Sequence, residues 1–193
     1  MKYTVFLLFA LISAVYAANL IPINYYPPDE EYAIFNVEYR NRVLDNQGDL
    51  SSGHVIGSSI HYNESTSPNL KWRIEGVTFD ELRGRNVSIQ SFAAAHSDTE
   101  VGGFVSTNGS DIIESQDPVS WELRLNAFTG EQFLIIKDDL AITALSAPDP
   151  KQEWPLAAQE INTTDTRQYW IFVPVGGVQD YLFINNITSD DGV

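Results

Sequence analysis

Three tryptophans at a constant interval constrain the fold of this chain more than any other feature. Trp72, Trp121 and Trp170 lie 49 residues apart, and each is followed two positions later by an apolar residue. A motif that recurs at a fixed period predicts equivalent structural units. Three units are too few for most propellers, whereas a closed three-unit barrel leaves no open sheet edge. We therefore predict that the tryptophans are equivalent core residues around a pseudo-threefold axis, and that they report the fold rather than the chemistry.

Short segments with alternating apolar residues surround the tryptophans. They cover 32–36, 87–91 and 133–135, and a similar segment, 181–185, lies near the C-terminus. β-Branched and aromatic residues at period two, interrupted by Gly, Pro, Asn and Asp, indicate many short strands. No later stretch holds a clear helical period, so the chain is predicted to be all-β. Residues 180–188 are predicted to be the strand that closes the structure against its beginning.

The N-terminus has the composition of a secretory signal peptide. A basic start precedes an apolar run from Val5 to Val15, which ends in small residues at cleavage-compatible positions. The run is too short for a membrane span, and no other run approaches that length. We predict a secreted protein with a signal peptide at 1–17, a proline-broken extended lead-in at 18–30, and one domain at 31–193.

Charge and composition exclude several classes of function. The net charge is −15, with 26 acidic and 11 basic residues, which argues against nucleic acid and anionic membranes as partners. There is no cysteine, so the core cannot depend on disulfides, and thiol catalysis and thiolate metal sites are excluded. The histidines His54, His61 and His96 lack the spacing of metal ligands, and no nucleotide-binding or hydrolase motif occurs. The sequence predicts no enzyme, metal or cofactor.

Sequons for N-glycosylation are numerous. In a chain with a signal peptide, N-x-S/T tripeptides indicate surface segments of a eukaryotic glycoprotein. The five candidate sites are Asn63, Asn86, Asn108, Asn162 and Asn186.

Residues around the repeats resemble a known family. The residues that carry the resemblance are Tyr32, Ile34 and Asn36, then Leu44-Asp45 with Gly48-Asp49, then Asn69 three residues before Trp72, and finally Gln168-Tyr169-Trp170. The last group has the form Q-x-W. Together they resemble the ricin B-type β-trefoil, especially its fungal lectin-like members, over the whole chain after about residue 31. The resemblance implies a β-trefoil with three pseudo-symmetric repeats and a carbohydrate-binding protein without catalytic activity.

The family's sugar site implies candidate ligands in the first unit. Such a site combines an aspartate after the first strand, an aromatic ring and an amide near the tryptophan. The polar groups bind vicinal hydroxyls, and the ring packs on the apolar face of the sugar. Asp45 and Asn69 match the polar positions, while Ile60 aligns with the aromatic, so His61 or Tyr62 would have to replace it. Asp45 could instead cap the turn toward Gly48.

The other two units depart further from the family pattern. In the third unit the candidate sugar ligands are Trp154, which matches the aromatic, and Gln168, the signature glutamine. Thr143 stands near the aspartate position there, and Arg167 replaces the asparagine. Trp154 is equally compatible with a partly buried loop anchor. The second unit is the most degenerate, and its signature glutamine is Val119. We therefore predict that any sugar site lies in the first unit.

Two alternatives to a lectin remain. A trefoil protease inhibitor of the mycocypin or Kunitz type would place one exposed loop in a protease cleft, and would use the loops at 46–67, 97–118 or 146–166. A structural or effector protein would keep the trefoil without either activity. The lectin hypothesis is the leading one, with a carbohydrate or glycoconjugate as the partner and a protease as the partner in the first alternative.

Overall fold

The computed structural model describes residues 26–46, 53–60, 67–80, 84–92, 102–146 and 154–187, without the side chains of 77–80. The predicted signal peptide and most of the lead-in lie outside these residues. Twelve strands occur in the described ranges, four in each repeat. The first unit has β1 (Glu31–Asn36), β2 (Arg42–Asp45), β3 (Ile56–Ser59) and β4 (Trp72–Asp80); the second has β5 (Gly84–Ser91), β6 (Phe104–Asn108), β7 (Asp111–Ser115) and β8 (Trp121–Leu125); the third has β9 (Phe133–Lys137), β10 (Leu140–Ala144), β11 (Leu156–Glu160) and β12 (Tyr169–Pro174).

The strands form a closed barrel and a cap. Antiparallel pairing runs from β1 to β4, β5, β8, β9 and β12 and back to β1, which closes a ring of six strands. The remaining strands form the hairpins β2–β3, β6–β7 and β10–β11. Bridges between the hairpins join Ala157 to Asp111, His54 to Ile113 and Gly57 to Trp154. The first strand of each unit runs toward its hairpin and the last runs away, so we call the end opposite the hairpins the lower end.

The three tryptophans occupy equivalent positions, as predicted. Each is 1% exposed and belongs to one continuous core inside the barrel. Each indole Nε1 donates to a carbonyl in the first strand of the unit's hairpin: Trp72 to Leu44 (3.0 Å), Trp121 to Val105 (2.8 Å) and Trp170 to Ile142 (2.9 Å). Because Leu44, Val105 and Ile142 accept these bonds, they are equivalent residues of the three units. The residues that follow them, Asp45, Ser106 and Thr143, are therefore equivalent as well. The bonds also satisfy the buried donor that a core tryptophan carries.

The tight turn between β9 and β10 shows why these strands form a hairpin. Asp138 and Asp139 both have positive φ, 50° and 63°. A two-residue turn with positive φ at both positions matches the twist of the flanking strands, and aspartate tolerates this conformation better than most residues.

The predicted C-terminal strand is wrong. Residues within 180–188 belong to α1, which spans Val178–Ile184. Val178 and Leu182 lie on one face of α1 and pack against Ala33 and Phe35 on the outer face of β1, so β1 is buried on both sides. Closure of the barrel is the role of β12, which pairs with β1 over five residue pairs.

Part of the lead-in packs on the lower end of the barrel. The ring of Tyr26 lies 5.6 Å from that of Phe133, and Pro27 is buried. Asp29 accepts a hydrogen bond from the backbone N–H of Gly76 (2.7 Å) and forms an ion pair with Arg85. Residues 26–30 are therefore attached to the barrel by both apolar and polar contacts.

Candidate functional site

The first unit brings two of the predicted ligands onto neighbouring segments. Asp45 is the last residue of β2, and Asn69 lies in the 3-10 turn Pro68–Leu70 that leads into β4. The backbone N–H of Asn46 donates to the carbonyl of Asn69 over 3.1 Å, so the two segments touch next to Asp45. Asp45 and Asn69 are both partly exposed. The two residues that carry a carboxylate and an amide thus lie on adjacent segments at the edge of the hairpin cap.

The side chain of Asn46, the residue after Asp45, is fixed by hydrogen bonds. The amide of Asn46 is buried and donates to Ser91 Oγ over 2.8 Å and to Glu114 Oε1 over 3.4 Å. Glu114 also accepts a hydrogen bond from the backbone N–H of Gly103. The network joins the first and second units and fixes the segment that follows Asp45. His61 and Tyr62, the candidate replacements for the aromatic ring, lie outside the described residues.

The ring of Trp154 packs against neighbouring side chains instead of lying open to a ligand. Its ring centroid is 4.3 Å from that of Tyr39, and the guanidinium carbon of Arg42 is 4.3 Å from the indole centroid. Its backbone exchanges two hydrogen bonds of 2.8 Å with Gly57. Burial lowers the pKa of Arg42. Trp154 therefore joins the third unit to the first, which favours the loop-anchor interpretation over a sugar-binding ring.

Gln168 has a structural role, which corrects its assignment as a sugar ligand. The residue is 1% exposed. Its Nε2 donates to Thr143 Oγ1 (3.1 Å) and to the carbonyl of Glu160 (2.9 Å), and its Oε1 accepts from the N–H of Asn162 (2.8 Å). Thr143, at the position equivalent to Asp45, is fully buried. The third unit thus uses these two positions for internal contacts.

Arg167 is engaged in an internal ion pair. It occupies the position equivalent to Asn69, and its Nε and Nη2 donate to the carboxylate of Asp165 over 2.9 and 2.7 Å. Asp165 also accepts from the backbone N–H of Arg167 and so caps the 3-10 turn Thr166–Gln168. These hydrogen bonds lower the pKa of Asp165 and raise that of Arg167.

The candidate glycosylation sites differ in exposure. Asn108, Asn162 and Asn186 are exposed, at the β6–β7 turn, after β11 and after α1. The side chain of Asn162 accepts hydrogen bonds from both the N–H and the hydroxyl of Thr164. Asn86 is half-buried in β5, between β4 and β8. Asn63 lies outside the described residues.

Among the residues that the structure describes, no cluster of three or more His, Asp or Glu side chains could hold a metal ion. None of the described helices is long and apolar enough to cross a membrane.

Comparison with known proteins identifies the architecture. No family model matches the sequence. The Macrolepiota procera ricin B-like lectin, solved in complex with lactose, superposes with a TM-score of 0.59 at 15% identity, over 77% of this chain and 98% of that one. The Rhizoctonia solani agglutinin gives 0.56 at 20% identity, over 79% and 99%. A designed threefold-symmetric protein, ThreeFoil, gives 0.55 at 14% identity, over 74% and 97%.

The fold is a β-trefoil. The ricin B-like lectin structures have the same fold, which confirms the predicted fold class and, at the level of the fold, the predicted resemblance. The same trefoil also occurs within longer proteins, including an endo-β-galactosidase from Clostridium perfringens, of which the match covers 34%.

Proposed function

We propose that this β-trefoil is a secreted, non-catalytic carbohydrate-binding protein of the ricin B-like lectin family. The support from the fold is that similar trefoils include lectins solved with sugars: the Macrolepiota protein with lactose, and a Polyporus squamosus lectin with a human-type influenza-binding epitope (TM-score 0.53, 16% identity, over 76% of this chain and 49% of that one). The carbohydrate partner is therefore inferred from relatives in structure, and the site from the chain's own residues.

The observation that carries the site is the bond between Asn46 and Asn69, which holds Asp45 beside Asn69. An ionised carboxylate gives charge-assisted hydrogen bonds, roughly twice as strong as neutral ones, to sugar hydroxyls. The adjacent amide supplies donors and an acceptor. The equivalent positions in the third unit, Thr143 and Arg167, are occupied by internal contacts. The first unit is therefore the one in which the carboxylate and the amide of the family's site occur together, on two partly exposed residues.

The experiment is a glycan array followed by affinity chromatography on the best ligand. Asp45→Ala should weaken retention by about tenfold or more, because unmatched sugar hydroxyls cost on the order of 1–3 kcal/mol. Asp117→Ala is the matched control, since Asp117 is an exposed aspartate of the second unit. Trp154→Ala should reduce retention less than Asp45→Ala.

Two results would count against the proposal. If the folded protein retains no sugar, the lectin function is wrong while the trefoil stands. If Trp154→Ala abolishes retention and Asp45→Ala leaves it unchanged, the site belongs to the third unit. No contact in the described loops favours the protease-inhibitor alternative.

Secretion is tested separately. Expression of the full chain in a eukaryotic host should release protein that begins at Ala18, as N-terminal sequencing would show. Intact mass before and after enzymatic removal of N-glycans would count the occupied sequons. Retention of residues 1–17 in the released protein would contradict the signal-peptide prediction.

A further inference from the structure

A cavity lies at the lower end of the barrel, away from the hairpin cap. Its volume is about 340 Å³, within the range of small-molecule sites. It opens between the start of β1, the β8–β9 turn and the end of β12, and residues 26–28 of the lead-in form one wall. We call it the lower mouth. Asp45 and Asn69 do not line it, so it is distinct from the site proposed above.

Four aromatic rings form the wall and floor of the lower mouth. Tyr26 contacts Phe133 at a centroid distance of 5.6 Å, Phe133 contacts Phe172 at 5.6 Å, and Phe172 contacts Tyr32 at 5.9 Å. The last two pairs are edge-to-face, with interplanar angles of 86° and 82°. Tyr32 and Phe133 are almost fully buried, whereas Tyr26 and Phe172 keep part of their surface open. The rings therefore hold one another in a fixed geometry and still present aromatic surface to a ligand.

The polar groups of the lower mouth are few and of one sign. Among the described residues that line it, Glu131 alone carries an ionised side chain, and it is exposed. In the described ranges no Lys, Arg or His forms an ion pair with Glu131. The hydroxyl of Tyr32 donates to the carbonyl of Pro28 over 3.2 Å, and that of Tyr26 is hydrogen-bonded to the backbone of Leu125. Both hydroxyls are thus engaged within the chain.

This combination suits a cation better than a sugar. A sugar presents several hydroxyls, each of which needs a partner once water is excluded. Aromatic faces attract a positive charge through the ring quadrupole, and a nearby carboxylate adds direct attraction. The net charge of −15 raises the local concentration of cations further. The apolar walls require that the cation carry apolar substituents.

We propose that the lower mouth binds a small organic cation, an ammonium group with apolar substituents, between the rings of Tyr26 and Phe172 and the carboxylate of Glu131. The simplest probe is choline. The cation contacts the open aromatic surface through its methyl groups, and Glu131 balances its charge at the rim. The buried rings of Tyr32 and Phe133 provide the apolar floor.

Titration calorimetry with choline and with its uncharged carbon analogue, in which a tert-butyl group replaces trimethylammonium, tests the proposal. The two ligands have the same shape, so a difference in affinity reports the charge. We expect choline to bind at least about fivefold more tightly. Glu131→Gln and Phe172→Leu should each weaken choline binding severalfold. Glu160→Gln, which changes an exposed glutamate on β11, should leave it unchanged.

Several outcomes would overturn the proposal. Equal affinity for the charged and uncharged ligands would make the lower mouth a plain apolar pocket, and no choline binding at tens of millimolar would remove it as a site. Displacement of choline by lactose would assign the pocket to sugar instead. Circular dichroism checks that Phe172→Leu is folded. If it is not, Glu131→Gln decides the matter, because Glu131 is exposed.

Discussion

The side chain of Gln168 links three segments of the third unit. It bonds to Thr143 in β10, to Glu160 at the end of β11 and to Asn162 in the following loop. The equivalent residues of the other units are Leu70 and Val119, which need no polar partners. Gln168, the signature glutamine, therefore fixes the loop that follows β11. The other two units form without this glutamine, so their corresponding loops are held by other contacts.

Gln168→Leu should destabilise the protein while leaving sugar binding intact. The substitution leaves the buried hydroxyl oxygen of Thr143 and the partly buried N–H of Asn162 without their partner, which costs about 1–3 kcal/mol in the free energy of unfolding. Urea denaturation measures the loss, and the affinity column measures binding. A folded variant that no longer retains sugar would show that Gln168 is a ligand after all.

Asp165 should make stability depend on pH in the acidic range. Its pKa is lowered in the folded state by the hydrogen bonds from Arg167, so its contribution is present above the unfolded-state pKa of about 4. The contribution is lost as the pH falls through the folded-state value. Asp165→Ala should lower the free energy of unfolding by about 1 kcal/mol at neutral pH, because it removes a cap. The difference from the wild type should shrink below about pH 4.

Asp165→Asn separates the charge from the cap, since asparagine keeps an acceptor for the N–H of Arg167. Urea unfolding at a series of pH values should show a weaker acid dependence in Asp165→Asn than in the wild type. If the two proteins lose stability in parallel from neutral to acidic pH, Asp165 is not the group responsible.

The candidate ligands were predictable to different degrees. Asp45 and Asn69 follow a local spacing around β2 and β4, so the sequence could place them together. Trp154 was ambiguous because its partners, Tyr39 and Arg42, come from another unit more than a hundred residues earlier. No local pattern reports a contact of that kind. The lower mouth was missed for the same reason, since it joins the lead-in to the ends of β1 and β12.

At the scale of elements, α1 shows how a short amphipathic segment can be misread. Tyr181 and Phe183 alternate as in a strand, but Val178, Tyr181 and Leu182 also have helical spacing. Seven residues do not distinguish the two periods. Tertiary packing decides, because the outer face of β1 has apolar residues that need cover, and a helix places Val178 and Leu182 there.

Two matched alanine substitutions separate helix from strand. Leu182 is 1% exposed and Phe183 is 78% exposed. Leu182→Ala should therefore cost about 2–5 kcal/mol in the free energy of unfolding, and Phe183→Ala should change it by less than about 0.5 kcal/mol. Thermal and urea denaturation provide the comparison. A strand with Phe183 inside would reverse the order of the two variants.

At the scale of the whole molecule, the repeat in the sequence was sufficient to predict the architecture. Each unit places one indole where it donates to a carbonyl in the first strand of its hairpin, so the tryptophans mark equivalent positions. The number of residues between the tryptophan and its acceptor differs between units. Trp121 bonds a residue 16 positions earlier, whereas Trp72 and Trp170 each bond one 28 positions earlier. The sequence similarity between the units is therefore clear around the tryptophans and weak in the hairpins.

Phe substitutions at Trp72, Trp121 and Trp170 should be equally costly if the three sites are equivalent. Each removes one buried hydrogen bond and part of a buried ring, at a cost of about 2–4 kcal/mol in the free energy of unfolding. Urea denaturation of the three single variants tests this. A spread larger than about 2 kcal/mol among them would contradict equivalence in energy, even with the symmetry of the fold intact.

The pairing of β1 with β12 has a consequence for biosynthesis. These strands lie at opposite ends of the trefoil in the sequence. β1 can therefore pair with β12 only after most of the trefoil has emerged from the ribosome. Contacts between such distant segments form slowly. Before β12 is synthesised, β1 keeps an unpaired backbone edge, as does the start of β9 at Phe133 and Leu134, and such edges can join other chains. The nascent protein, and any product truncated before Tyr169, should therefore depend on chaperones in a way that the finished barrel does not.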